Sequence, residues 1–183
     1  MQTATPTVRV FFGPSLRRTI ATEIRLIGAT RALVLSTPQQ SNAALEIAEL
    51  LGPLAAGVFC KAEMHTPVHV TEAAMAHVAE TRADCLVAIG GGSTIGLGKA
   101  IAYRTDLPQI AIPTTYAGSE ATPILGQSEG GLKTILCDPS VLPEVILYDP
   151  ELVMTLPISM TVTSALNAMA HAAEALYATN QTT

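Results

Sequence analysis

Three consecutive glycines and a hydroxyl, Gly90-Gly91-Gly92-Ser93, are the residues of this chain best suited to holding an anion. Glycine lacks the Cβ that keeps an anion off the backbone, so its N–H groups can point at a phosphate. The apolar run 86–89 before them reads as a buried strand. Ser93 or Thr94 is then expected to cap a helix with Ile95, Leu97, Ala100 and Ile101 on its apolar face. A helix N-terminus adds partial positive charge at the same spot. The dinucleotide fingerprint G-x-G-x-x-G does not fit, because Ile95 stands at the third glycine. The P-loop pattern does not fit either: Gly98-Lys99 is followed by Ala100, and Ser93 occupies the first glycine position. The plainer alternative is a tight strand-to-helix turn that holds no ligand.

Other polar residues are placed to join such a site. Thr114, Thr115 and Ser119 follow the strand-like run 109–113 at its carboxyl end, where open α/β sheets bind ligands. Their hydroxyls suit a ligand, and the alternative is an ordinary polar loop. Asn167 and His171 are four residues apart and share a helix face, as a ligand or proton-donor pair. The alternative is a structural histidine on an alanine-rich helix. Lys133 can reach a phosphate or ribose, or simply be solvated. His65, His69 and His77 show no metal spacing with a carboxylate and read as structural or solvated.

The elements that would position these residues alternate between strand and helix. Runs 8–12, 31–36, 57–61, 86–89 and 109–113 read as strands. The near-continuous apolar run 31–36 implies burial on both faces, hence a parallel sheet. Between them, a helix capped by Ser15 carries Leu16, Ile20, Ile24 and Ile27 at helical spacing. A second begins at Ser41 with Leu45, Ala48 and Leu51 inward and stops at Gly52, and a third starts at Thr66-Pro67 and runs to about Thr81. The fold class is therefore α/β, a Rossmann-like doubly wound parallel sheet. A hairpin centred on Gly130-Gly131 and one more strand at 144–147 follow. After Leu156-Pro157 the pattern turns fully helical, with Leu166, Met169, Ala170, Ala173 and Leu176 on one face. The expected domains are 1–156, an α/β dinucleotide-binding unit, and 157–183, the start of an all-helical C-terminal domain in which the sequence stops.

Bulk composition excludes several classes. The 183 residues are 49% hydrophobic and 14% charged, which is ample for a core. A net charge of −5 argues against wholesale nucleic-acid binding. No apolar stretch approaches the ~20 residues of a membrane span. Five arginines in the first 31 residues are explained by a strand and an amphipathic helix, without a transit peptide. Cys60, Cys85 and Cys137 are odd in number and widely spaced, suggesting neither disulfides nor a metal cluster, so a cytoplasmic location fits.

Gly90-Gly-Gly-Ser93, the run Pro113-Thr-Thr-Tyr-Ala-Gly-Ser-Glu-Ala-Thr-Pro123, Asp149-Pro-Glu-Leu152 and Asn167-Ala-Met-Ala-His171 together resemble the iron-containing alcohol dehydrogenase family, and more closely its maleylacetate reductase branch. The resemblance runs from about Val8 to the end of the chain and matches the first half of a family member. It implies that Gly91, Gly92 and Ser93 hold a cofactor pyrophosphate. It also implies that Thr114, Thr115 and Ser119 line the nicotinamide and phosphate side, and that Lys133 reaches the ribose. Two departures stand out. Asn167 occupies the place where metal-dependent relatives carry Asp, and an amide is a poor ligand for a hard divalent cation, so no metal is expected. Gly96 stands where relatives often carry Asp, and the segment 36–40 lacks the acidic residue that favours NADH, which leaves NADH or NADPH open. The implied reaction is NAD(P)H-dependent reduction of the C=C bond of maleylacetate, a small dicarboxylate, to 3-oxoadipate in aromatic-compound degradation. His171, Asn167 and Tyr116 are the candidates for orienting or polarising the substrate. A homodimer is implied, with neither nucleic acid nor membrane as partner. The alternatives are a metal-dependent alcohol or polyol dehydrogenase of the same family, or a nucleotide-binding half without catalysis.

Overall fold

The computed structural model describes residues 8–178. The outer parts of the two expected domain ranges, 1–7 and 179–183, lie outside the described residues. The chain runs β1 (Arg9–Phe12), α1 (Ile20–Leu26), β2 (Ala32–Leu35), α2 (Ser41–Leu51), β3 (Ala55–Phe59), α3 (Val68–Thr81), β4 (Cys85–Gly90), α4 (Gly92–Thr105) and β5 (Gln109–Pro113). It continues with a hairpin, β6 (Ile124–Glu129) and β7 (Leu132–Cys137), then β8 (Val145–Tyr148), the single turn α5 (Pro150–Val153) and α6 (Ile158–Ala175).

Six strands form one parallel sheet in the order β1-β8-β5-β4-β2-β3. The central strands β2, β4 and β5 are buried along their whole length, as continuous apolar runs require when helices cover both faces. Successive side chains alternate faces. Val34, Val87, Ile89 and Ile110 meet Ile20 and Ile24 of α1 and Ala44 and Ile47 of α2. Leu33, Leu35 and Leu86 meet Val70 and Ala74 of α3 and Leu97 and Ile101 of α4. The chain goes outward from β2 to β3 and returns to β4 on the other side of β2, so the order reverses between β2 and β4. The loops leaving these two strands bound the crevice where doubly wound sheets take ligands.

Local details depart from expectation for identifiable reasons. Ser15 caps nothing: it has a left-handed backbone, and its Oγ donates to Glu151 instead. The residue buried from the middle of α2 is Ile47 and not Leu45, because the helix presents Ala44, Ile47 and Leu51 to the sheet. The third strand lies at 55–59, two residues before the expected run, where Leu33 of β2 pairs with Gly57. The cap of α4 is Gly91, not Ser93 or Thr94. The last helix begins at Ile158, directly after Pro157 as expected, but none of its residues is buried.

Candidate functional site

The β4–α4 turn is shaped by what surrounds it. A Cβ on Gly90 would strike Thr94 Oγ1 and stand 2.8 Å from Gln40 Oε1, and one on Gly91 would stand 2.9 Å from Thr115 Cγ2. Packing alone therefore requires the first two glycines. Gly92 is different: the nearest atoms to its Cβ position are Ser119 Oγ at 3.9 Å and Ala117 Cβ at 4.0 Å, and the residue is exposed. Within α4, the N–H groups of Thr94 and Ile95 both donate to Gly91 O, at 3.0 and 3.1 Å. The earlier N–H groups, of Gly92 and Ser93, have no intrahelical partner, and both residues line a cleft.

That cleft, of about 350 Å³, brings Gly92, Ser93 and Gly96 of α4 together with Ser119, Lys133 and the segment Met64–Thr66. A larger cleft of about 710 Å³ lies between the start of α3 and the tip of the hairpin, and shares His65 and Lys133 with the first. Size does not decide between them. The smaller one holds the helix start, the open glycine and Ser119, whose Oγ is buried without a hydrogen-bond partner among the described residues. A buried hydroxyl left unpaired costs about 1–3 kcal/mol, so it invites a partner from the cleft. The cradle fits the phosphate of a nucleotide.

The sequence-predicted residues are distributed as follows. Gly91, Gly92, Ser93, Thr115 and Ser119 converge on the turn. Thr114 sits deeper and buried, its N–H donating to Gly90 O at 3.0 Å while its Oγ1 accepts from Gln40 Nε2 at 2.7 Å. Lys133 is exposed at the cleft mouth, with Cε 3.4 Å from where a Cβ on Gly126 would lie. Tyr116 is 40% exposed, and its N–H donates to Ser164 Oγ of α6 at 3.0 Å. Asn167 and His171 follow Ser164 at helical spacing, so they share its side of α6, and both are exposed. They do not join the glycine cleft. Among the described residues no three His, Cys, Asp or Glu side chains converge to hold a metal ion. Asn167 with His171 supplies an amide and one imidazole, which does not fit a hard divalent cation.

Three residues of the site wall escaped the sequence reading. Gln40, from the loop after β2, braces Thr114 against Gly90. Thr66 is buried in a left-handed conformation with Oγ1 in the space where Gly96 lacks a Cβ, and its carbonyl accepts from Ser128 N at 3.3 Å. Lys99 is 1% exposed, and its Nζ donates to Ser119 O, to Thr122 O at 2.6 Å and to Ile124 O at 2.9 Å. Burial pulls the Lys99 ammonium down to about 8, while the Glu120 carboxylate pulls the other way. Glu120, itself buried, accepts from Tyr148 OH at 2.9 Å, and Tyr148 is raised by its own burial and by that carboxylate. A signal for Lys99 existed: a lysine flanked by Leu97, Ala100 and Ile101 on an apolar face must be partnered if buried.

Residues 6–150 match the family described as iron-containing alcohol dehydrogenase. The chain is 61% identical over 174 residues to a maleylacetate reductase of Rhizobium sp. (strain MTP-10005), covering 95% of this chain and 50% of that protein. It is 55% identical over 170 residues to a maleylacetate reductase of Sphingobium indicum, covering 93% and 48%. The crystal structure of maleylacetate reductase from Agrobacterium tumefaciens superposes with a TM-score of 0.94 at 57% identity, over 100% of this chain and 52% of that one. The chain thus spans about half the length of the curated relatives it matches.

Proposed function

The chain belongs to the iron-containing alcohol dehydrogenase family, and from that premise we propose that it forms the cofactor-binding part of a maleylacetate reductase. The reaction is reduction of the C=C bond of maleylacetate to 3-oxoadipate. Bound NADH or NADPH supplies the hydride, a proton completes the reduction, and oxidised nicotinamide leaves. The observation that carries this reading is the start of α4: Gly92 and Ser93, whose amides lie in the first helical turn, line one cleft with Ser119, whose Oγ is buried without a partner among the described residues. The 61% identity to a reductase of that name supports the substrate.

In this reading the N–H groups of Gly91, Gly92 and Ser93 hold the pyrophosphate, with the helix end favouring its charge. Ser119 Oγ donates to a phosphate oxygen. Thr114 and Thr115 line the nicotinamide side, and Lys133 reaches the ribose. Tyr116, Asn167 and His171 orient the substrate or donate a hydrogen bond to its carbonyl oxygen, drawing electron density from the conjugated double bond. No metal is assigned a step. Residues 1–156 are proposed as the dinucleotide-binding unit and 157–183 as the start of a helical one, in a cytoplasmic homodimer.

The test is loss of nicotinamide absorbance in the full-length protein with maleylacetate, with and without a chelator. Turnover that the chelator leaves unchanged is expected. Turnover of alcohols alone, abolished by the chelator, would replace this reading with a metal-dependent alcohol dehydrogenase, the activity in the family's name.

A further inference from the structure

The loop from Thr114 to Pro123 supplies Ser119, yet no strand holds its middle. Its one regular piece is a single turn, Ser119–Ala121, entered through Gly118 with a left-handed backbone. So short a turn leaves carbonyl oxygens with acceptor capacity to spare, and that of Ser119 takes only a long 3.3 Å bond from Thr122 N–H and one of 3.0 Å from the Thr122 hydroxyl. Three of them, on Ser119, Thr122 and Ile124, point at Nζ of Lys99, two turns into α4. An ammonium has three N–H donors. Three carbonyls use all of them, so Lys99 has none left for a phosphate. Glu120, its nearest carboxylate neighbour by field, is engaged by Tyr148.

We propose that Lys99 is a positioning residue for nucleotide binding: its Nζ gathers the carbonyls of Ser119, Thr122 and Ile124 and thereby sets Ser119 Oγ opposite the Gly92–Ser93 amides. The inference rests on the nucleotide-binding reading above. It explains why a glycine-rich helix start is followed by a lysine that fits no phosphate-binding pattern. The cation serves the opposite wall of the cleft, not the ligand.

Two measurements on the full-length protein test it. The first is a double-mutant cycle on NADH affinity with Lys99→Met, Ser119→Ala and the pair. Each single variant is expected to bind about tenfold more weakly. The double variant should be no weaker than Lys99→Met alone, because the lysine acts through Ser119. Losses that multiply, or unchanged affinity in Lys99→Met, would overturn the proposal. The second is amide hydrogen exchange over residues 116–124. It should quicken in Lys99→Met while β4 and β5 keep their protection, and equal exchange in variant and parent refutes the role. Where Lys99→Met does not fold, Lys99→Gln keeps an N–H donor in a smaller side chain and should show the same loosening more weakly. A parent that binds neither NADH nor NADPH would sink the nucleotide reading alone, and the exchange experiment would still decide the role of Lys99.

Discussion

The wall of the glycine cleft and helix α6 carry candidate residues of similar chemistry, but they are held in opposite ways. Around the cleft, each element is fastened by another distant in sequence. Gln40 bonds Thr114, Thr66 fills the space over Gly96, and Lys99 binds the carbonyls of the 114–124 loop. On α6, Leu166, Met169, Asn167 and His171 are all exposed, and the helix meets the loop through Tyr116 N–H and Ser164 Oγ. The first region is pre-organised within this chain, as a binding site must be to avoid ordering costs on binding. The second has an apolar side, with Leu166 and Met169, that stays exposed among the described residues. In the proposed function, nucleotide binding thus falls to a region this chain itself orders, and substrate handling on α6 falls to a helix that the described residues leave exposed.

The largest effect is expected at the start of α5, the turn that leads into α6. Asp149, whose side chain is fully buried, accepts from Ser15 N, Arg17 N, Glu151 N and Arg17 Nη1, the last at 2.7 Å. Removing it in Asp149→Ala should cost about 3 kcal/mol in denaturant melts, because it strands four partly buried donors, one of them the Arg17 guanidinium, at the start of α5. Gly90→Ala comes next. Its methyl group meets Thr94 and Gln40, and we expect about 2 kcal/mol of destabilisation with NADH affinity lost alongside, read by melts and fluorescence titration.

A smaller effect serves as a control at the opposite end of β4. Burial pushes the Asp84 carboxyl up, but hydrogen bonds from the Thr30 hydroxyl and the Arg31 and Thr30 amides outweigh it and hold the group below its ordinary 3.8. A lowered carboxyl stabilises the fold above its unfolded value and loses that contribution as pH falls through the folded one. Asp84→Asn should therefore cost about 1 kcal/mol at neutral pH and converge on the parent in acid, with nucleotide affinity unchanged. The smallest change in stability belongs to His171→Ala, within about 0.5 kcal/mol, since the side chain is exposed. Turnover of maleylacetate by the full-length variant should nevertheless fall about a hundredfold at unchanged NADH affinity. A variant with normal turnover would remove His171 from the proposed mechanism.

Much of the frame was legible in advance. The runs around Val34, Val87 and Ile110 announced central parallel strands because both of their faces need cover, and Gly130-Gly131 announced the hairpin. Ala44 and Ile47 were harder to single out. Leu45 and Leu50 are equally apolar, and only the seating of α2 on the sheet turns them outward. The site divided in the same manner. The glycines and hydroxyls were readable because few residue types permit anion contact. Gln40 and Thr66 were not, because a polar residue in a loop carries no mark of the partner it will meet.

By itself, then, the sequence determined the α/β alternation, the place of the glycine turn and the residue types around it. These depend on hydrophobic period and backbone freedom, which are local properties. Tertiary structure alone decided that two of the three glycines serve packing and the third faces the cleft. It also decided that Lys99, at the same cleft, binds three carbonyls of the facing loop. Which atoms meet across a fold depends on sheet order and helix seating, and these bring residues 40, 66, 99 and 119 together from four separate stretches of chain.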